Sequence, residues 1–370
     1  MSGERVDFAV VGGGIVGVLV AREISHRAPR ASVALVERDA VGSGASRRSA
    51  GLHFPRGASE RVRAMARYSE TFYRRLVEVW PTQDRAGHLV HPLPIRPLPM
   101  AVVALAERTA LLREHYLDSA ALTEATDVPG LPGFLAPLPA RTRLWRGRGC
   151  QYADVGALVR ALTDALPDRV RIKEGVRVTT VEHGRTAGVR LRLGNGDELS
   201  AGHVVLAPGP WLTDPAWREL VAPLGARVKK VVALHLDGPP ARDAPVVVFE
   251  NEDAFLLPLR ERGQWLFSYT CRQWDVDPDA SPTGLSAHDL REAGAVLRRY
   301  APRLAEAPAA GRVFCDAYSA GREPEIRDLG GDGRLLFAGA ANGSGYRLGP
   351  AIAARVADEL ALPTAPRSDS

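Results

Sequence analysis

The sequence predicts a mixed α/β fold: a parallel sheet with flanking helices, and a second part built on a mostly antiparallel sheet. Three observations predict it. Phe8-Ala-Val-Val-Gly-Gly-Gly-Ile-Val-Gly17 opens with the unbroken apolar run of a strand buried on both faces and then turns on glycine. Val18 to Ile24 continues with helical apolar spacing, and Ser32-Val-Ala-Leu-Val-Glu37 supplies the next strand. Strand, glycine turn and helix then return at Arg334 to Pro350, whereas residues 216–314 read mainly as strands.

The first turn carries the chemistry. In Gly12-x-Gly14-x-x-Gly17 the glycines do different things. Gly12 makes the tight turn, Gly14 lets the backbone approach a pyrophosphate, and Gly17 lets the helix pack on the strand. Ile15 and Val16 open that helix, whose N-terminal N–H groups attract phosphate. Glu37 lies 20 residues past Gly17, where an acid accepts hydrogen bonds from an adenosine ribose. Arg38 to Gly51 follows, rich in small residues and hydroxyls. Its backbone can lie against an extended ligand while Ser43, Ser46 and Arg47 reach phosphate oxygens. A flavin dinucleotide needs such a loop here; a nicotinamide one does not.

The helix expected over 59–76 has an apolar face of Val62, Met65, Ala66, Ser69, Phe72, Tyr73 and Leu76. Five prolines in 81–100 mark a change of domain, with Gly87 to His91 as a strand and Ala104 to Ser119 as a helix. Tyr152 to Leu166 reads as a helix, Val170 to Val178 as a strand, and Gly194-Asn195-Gly196 as a hairpin turn. His203 to Trp211 is a buried strand ending on Gly209. Val228 to Leu236 and Val246 to Phe249 are strands, Phe255 to Tyr269 a hairpin, and Ser286 to Tyr300 a helix. Arg334 to Gly339 is the last strand, Ala351 to Leu360 the last helix, and 363–370 a frayed tail.

The chain has 370 residues, 45% hydrophobic and 25% charged, with a formal net charge of +5. That is the profile of a globular protein with room for two domains. Arginines scattered along the sequence do not form the clustered stripe that nucleic acid requires. No apolar run reaches membrane-span length, and the first strand begins too early to leave room for a signal peptide. No nucleic-acid or membrane partner is expected, and cytoplasm is the expected compartment. Cys150, Cys271 and Cys315 are too far apart for a metal set or a disulfide framework.

Taken in order, these pieces resemble the D-amino-acid oxidase family of FAD-dependent oxidoreductases, which includes glycine oxidase and monomeric sarcosine oxidase. The resemblance rests on the glycine turn with Glu37, the Gly42 to Gly51 loop, the strand at Val178, Ala207-Pro-Gly-Pro-Trp211, and Gly339 to Pro350. It implies a Rossmann-type FAD-binding domain of discontinuous segments, 1–80, 150–215 and 315–362. A substrate domain of 81–149 and 216–314 with a large antiparallel sheet interrupts it. It also implies oxidation of an amino acid's C–N bond by hydride transfer to flavin N5, giving an imine that water hydrolyses. The substrate carries a carboxylate, and O2 or another acceptor takes the electrons.

Residue by residue, Gly343-Ser344-Gly345-Tyr346-Arg347 is similar to the sarcosine oxidase stretch in which a lysine binds the substrate carboxylate. Arg347 stands at that lysine's position, as a carboxylate fork or as a flavin-side or surface arginine. The backbone of Gly343 to Gly345 would face the N1/O2 edge of the flavin. Cys315 matches the register of a cysteine that binds FAD through a thioether, or it simply packs. Asp316 stands where relatives place a carboxylate-gripping arginine, which points to a cationic substrate group or an ordinary ion pair. Sarcosine oxidase's oxygen-activating lysine has no counterpart on Gln264 to Tyr269. His53, Arg56, Tyr269 and Tyr346 complete the substrate-side candidates. The expected substrate is a secondary or N-substituted amine. A 2-hydroxy acid, a role as the flavin subunit of a heteromeric dehydrogenase, and a flavin module without turnover remain the other readings.

Overall fold

The computed structural model describes residues 3–83, 89–130, 132–135, 137–184, 188–280, 284–306 and 309–364. Its strands form two sheets of eight and nine strands. In the first, Glu4–Val11 lies between Val33–Val36 and Glu198–Leu206, parallel to both. Val170–Lys173 continues the parallel sheet on one side and Leu335–Gly339 on the other; antiparallel Glu325–Asp328 closes the second edge. The hairpin Val178–Gly184/Gly188–Leu193 hangs from the beginning of Glu198–Leu206.

The uninterrupted apolar strands are explained by two covered faces. Phe8 and Val10 join a core with the helices Ile15–Arg27, Glu60–Glu78, Val155–Asp164 and Gly345–Glu359. Ala9 and Val11 join the core on the opposite face, with Leu206, Trp217 and Phe337. Burial on both sides removes the alternation that a half-exposed strand would show.

The second sheet runs in the order Ala309–Tyr318, Arg227–Asp237, Gln264–Tyr269, Ala254–Leu259, Val246–Phe249, Ile95–Leu105, Thr142–Ala153, Leu52–His53, with Thr123–Ala125 also paired to Thr142–Ala153. All these pairings are antiparallel except Val246–Phe249 with Ile95–Leu105. The helix Ala287–Tyr300 packs on one face, capped by the reciprocal Ser286 and Asp289 hydrogen bonds. The opposite face carries Val231, Leu266 and Phe314.

Several elements differ from expectation. Residues 104–119 are not one helix: Ile95–Leu105 is a strand, and the helix spans only Thr109–His115. Met100 to Ala104 are almost fully buried, so neither period shows, and the register shift between Leu98 and Met100 accommodates Pro99. Thr142–Ala153 is a long strand that ends on Tyr152 and Ala153, the residues expected to open a helix; that helix spans Val155–Asp164. Residues 315–318 pair along Arg227–Lys230 in the second sheet, to which Leu52–His53 also belongs. Residues 87–88 of the expected Gly87 to His91 strand lie outside the described ones, as does 365–370 of the tail.

The last helix starts at Gly345, not Ala351, and holds Pro350 inside it. Proline cannot donate to the carbonyl four residues back, here that of Tyr346. The buried Tyr73 hydroxyl donates to that carbonyl instead, at 2.7 Å, and its ring packs 4.8 Å from the Tyr346 ring. The helix therefore keeps its first turn intact through a neighbour's side chain. Tyr73→Phe leaves the carbonyl unsatisfied in a dry core and is expected to destabilise the protein by about 1–3 kcal/mol in denaturant unfolding. Unchanged stability would show that the proline is accommodated some other way.

Candidate active site

The glycine turn is tight for a measurable reason. Gly12 has φ +106, and a Cβ there would lie 2.2 Å from the Ala207 carbonyl oxygen. A Cβ on Gly17 would lie 1.9 Å from the Gly12 oxygen, so Gly17 joins helix to strand and lines neither of the two recesses beside the turn. Gly14 precedes the helix, and Ser46 Oγ accepts from the Ile15 N–H at 2.9 Å. Glu37 accepts from the N–H groups of Gly13 at 2.6 Å and Asp39 at 2.9 Å. Burial still raises its carboxyl above the ordinary range, against those two hydrogen bonds.

Around this turn lie two adjoining narrow recesses, a tunnel whose two parts share Gly14, Ser46 and Gly209 in their walls. Gly12, Gly14, Glu37, Arg38, Ser43, Ser46, Val178 and Gly209 line the first. Gly14, Ile15, Val16, Ser46, Gly209, Gly339, Gly343, Gly345 and Tyr346 line the second, together with Asp316. Arg38 sits 4.2 Å over the Trp211 ring and pairs with Asp279 at 2.6 Å, while the Trp211 indole N–H donates to the same carboxylate at 2.7 Å. This clasp borders the Glu37 end.

Two expected cofactor residues are placed elsewhere. Arg47 is exposed and lines neither recess; it faces a separate cavity beyond the loop. Cys315 is 5% exposed and packs in the apolar core of the first sheet, off the walls of both recesses. Strand alternation accounts for it: Phe314, Asp316 and Tyr318 line the large cavity and Cys315 points the other way.

That large cavity, about 770 Å³, opens at the Gly343 end of the tunnel, where Ser344 and Tyr346 also line it. Arg347 Nη2 donates to Ser344 Oγ at 2.9 Å, Nη1 donates to the Arg56 carbonyl, and the guanidinium lies 5.0 Å from the Phe54 ring centroid. It has no carboxylate within 4 Å among the described residues. Burial, then the neighbouring Arg56 charge, lowers its pKa to about 10. Arg56 lines the same cavity but is already committed to the buried Glu250 at 2.5 Å. Glu250, at the end of an apolar strand, gave no sequence signal beyond its position.

His53 and Tyr269 do not reach the cavity. Leu52 and Phe54 line it, and His53 between them turns inward, 0% exposed, against the Tyr73 ring. Burial and the Arg347 charge push its pKa down to about 3, so it is neutral. Ser268 and Thr270 line the cavity, whereas Tyr269 packs on the helix-covered face of the sheet, stacked on Phe267. Asp316 lines both cavity and tunnel, and burial alone raises its carboxyl to about 7. Lys229 lies near the rings of Trp274 and Tyr318 on the same wall.

A glycine turn at a helix N-terminus, a ribose-position acid and a narrow tunnel ending in a wide cavity fit an extended dinucleotide with a reactive ring at one end. The family profile of FAD dependent oxidoreductases (DAO) matches residues 7–359. The chain belongs to this family. It is therefore an FAD-dependent oxidoreductase.

Among solved structures, glycine oxidase from Geobacillus kaustophilus is similar at a TM-score of 0.78 and 20% identity, covering 98% of this chain and 96% of that one. NikD, described as an unusual amino acid oxidase essential for nikkomycin biosynthesis, aligns at 0.75 and 19%, over 99% and 95%. L-proline dehydrogenase from P. horikoshii aligns at 0.73 and 16%, over 99% and 96%. At these identities the likeness is one of fold. No curated protein matches the chain by sequence. Among the described residues no helix is long and apolar enough to cross a membrane, and no cluster of ligating side chains would hold a metal.

Because Cys315 lies off the tunnel walls, its flavin is expected to be non-covalent. Acid precipitation should release the yellow colour into the supernatant, and Cys315→Ala should keep its flavin. Colour retained in the wild-type pellet and lost from that of Cys315→Ala would contradict the placement.

Proposed function

We propose that the chain oxidises the C–N bond of an amino acid, a secondary or N-substituted amine, and that O2 or another acceptor takes up the electrons. Arg347 carries this reading. A half-buried guanidinium without a carboxylate partner gains from an anion beside it, and it faces the cavity at the ring end of the tunnel. Its planar fork suits a substrate carboxylate. Arg56 serves as a positioning residue: Glu250 holds its side chain and its carbonyl holds Arg347.

In this reading Glu37 takes the adenosine ribose, and Ser43, Ser46 and the start of the Ile15–Arg27 helix take the pyrophosphate. The Gly343 to Gly345 backbone borders the ring. FAD, when bound, supplies the hydride acceptor. The protein orients the substrate and manages its proton. Asp316 faces the same cavity with no ion-pair partner among the described residues. It accepts a proton from the substrate ammonium and leaves the nitrogen neutral, the form that can give up hydride from its α-carbon. That need favours an amine over a 2-hydroxy acid, which has no ammonium to deprotonate. Phe255, Trp274 and Tyr318 offer apolar walls to an N-substituent or side chain.

The test is anaerobic bleaching of the FAD-loaded protein by N-methyl, cyclic and primary amino acids and 2-hydroxy acids. N-substituted amino acids should bleach it fastest. Arg347→Met should weaken their apparent affinity about 100-fold, the loss of a charged bidentate contact. Asp316 is ionised above about 7, so kcat/KM should rise with pH through that value and level off. Asp316→Asn should lower the rate and remove that limb while Kd for a carboxylate inhibitor changes little. Bleaching by hydroxy acids alone, or an unchanged affinity in Arg347→Met, would contradict the proposal.

A further inference from the structure

A second wide cavity, about 520 Å³, shares Ser49 and Ala50 with the substrate cavity and takes its other walls from Ser43, Arg47–Arg48, Tyr152–Gly156, Arg160 and the second sheet. Five arginines line it: Arg47, Arg48, Arg160, Arg262 and Arg312. Asp154 is the one acidic residue in its walls, and one of its oxygens is committed to capping the helix Val155–Asp164, accepting from the Ala157 N–H at 3.0 Å. Among the described residues none of the five arginines has an ion pair. Other arginines on the molecule's walls and rims do find an acid, as Arg38, Arg56 and Arg177 show.

Arg312 is the fixed element of this cluster. Its Nε donates to the Arg48 carbonyl at 2.9 Å and its Nη2 to the Ser49 carbonyl at 3.3 Å, while Nη1 meets His235 Nε2 at 2.6 Å. The guanidinium is thereby anchored to the loop that separates the two cavities. Burial and then the Arg262 charge lower its pKa from the ordinary arginine value, against the smaller opposing effects of Tyr152 and Asp154. The other four arginines bring their charges to the same recess on flexible side chains. Like charges held together in a concave, partly desolvated wall repel unless an anion sits among them.

We propose that this cavity binds a small polyanion, a molecule that carries two or more negative charges on carboxylate or phosphoryl groups. Arginine forks suit both groups geometrically. The recess is too poor in aromatic rings for a nucleic-acid strand, since Tyr152 is the only aromatic residue in its walls. It adjoins the cofactor recesses, sharing Ser43 with the first and Ser49 and Val155 with the second, but Gly14, Ile15 and Val16 at the helix start do not line it. The site does not depend on the substrate assigned to the Arg347 cavity.

The experiment is isothermal titration calorimetry of the FAD-loaded protein with citrate, inorganic phosphate and acetate. Citrate or phosphate should bind saturably at one site, with acetate much weaker. A carboxylate ligand is indicated if citrate is the tighter of the two, a phosphoryl ligand if phosphate is. Arg262→Glu and Arg160→Glu lie on the exposed rim, where substitution leaves the Arg312 anchor in place. Each should weaken binding about tenfold or more, while Arg298→Glu, an exposed arginine elsewhere, and Arg347→Met should not. Absence of saturable binding by either polyanion overturns the proposal, as does equal weakening in Arg298→Glu. Binding abolished by Arg347→Met but kept in Arg262→Glu would place the anion in the substrate cavity and also overturn it.

Discussion

The contact between Gly12 and the Ala207 carbonyl is the constraint on which the rest of the structure depends. Where a Cβ would have to lie 2.2 Å from that oxygen, the backbone instead passes with nothing between. Two segments separated by almost two hundred positions in sequence thereby become neighbouring walls of one tunnel. Gly17 repeats the device a turn later and brings the helix start down onto the strand end. Glu37 then turns back, held by the N–H of Gly13, and the recess gains its negative end.

At the other end the organisation is electrostatic. Arg347 draws its position from Ser344, the Arg56 carbonyl and the Phe54 ring, and Glu250 neutralises Arg56. One cation is thus balanced and the other left open toward the cavity. Asp316, on a strand of the second sheet, is the carboxylate of that cavity whose pKa burial moves furthest toward neutrality. The two sheets meet here, one supplying the glycine-rich turn before Arg347 and the other the Asp316 wall. A substrate spanning Arg347 and Asp316 would touch both. On the far side of the Arg48–Ala50 loop, Arg312 ties that same loop to the second sheet.

The parallel half was legible because its signals are local. Unbroken apolar strands, glycines at fixed offsets and an acid at a fixed distance each follow from one short stretch, and Gly12, Gly14, Glu37, Ser46 and Gly209 all line the tunnel. The substrate-side residues were less legible because facing depends on strand parity and on what covers each face. His53 and Tyr269 sit one residue from cavity-lining neighbours and turn away from them, as Cys315 does. Their registers are set by partners far away in sequence, Tyr152 and Gln151 for Leu52–His53, and Val232 and Ala254 for Tyr269. The strand Ile95–Leu105 hid for a related reason: Met100 to Ala104 are buried on both faces and show no alternation, and Pro97 and Pro99 before them are not the usual strand composition. Glu250 and the arginine cavity were invisible in sequence, since each is assembled from distant segments.

The most direct measurement is titration of the flavin-free protein with FAD and with FMN, followed by flavin fluorescence. A tunnel that runs from the ring cavity to Glu37 takes part of its affinity from the adenosine end. FAD should therefore bind far more tightly than FMN, by about 100-fold or more, and Glu37→Ala should remove most of that advantage. Equal affinity for FMN and FAD, or an advantage untouched by Glu37→Ala, would contradict the assignment of the tunnel.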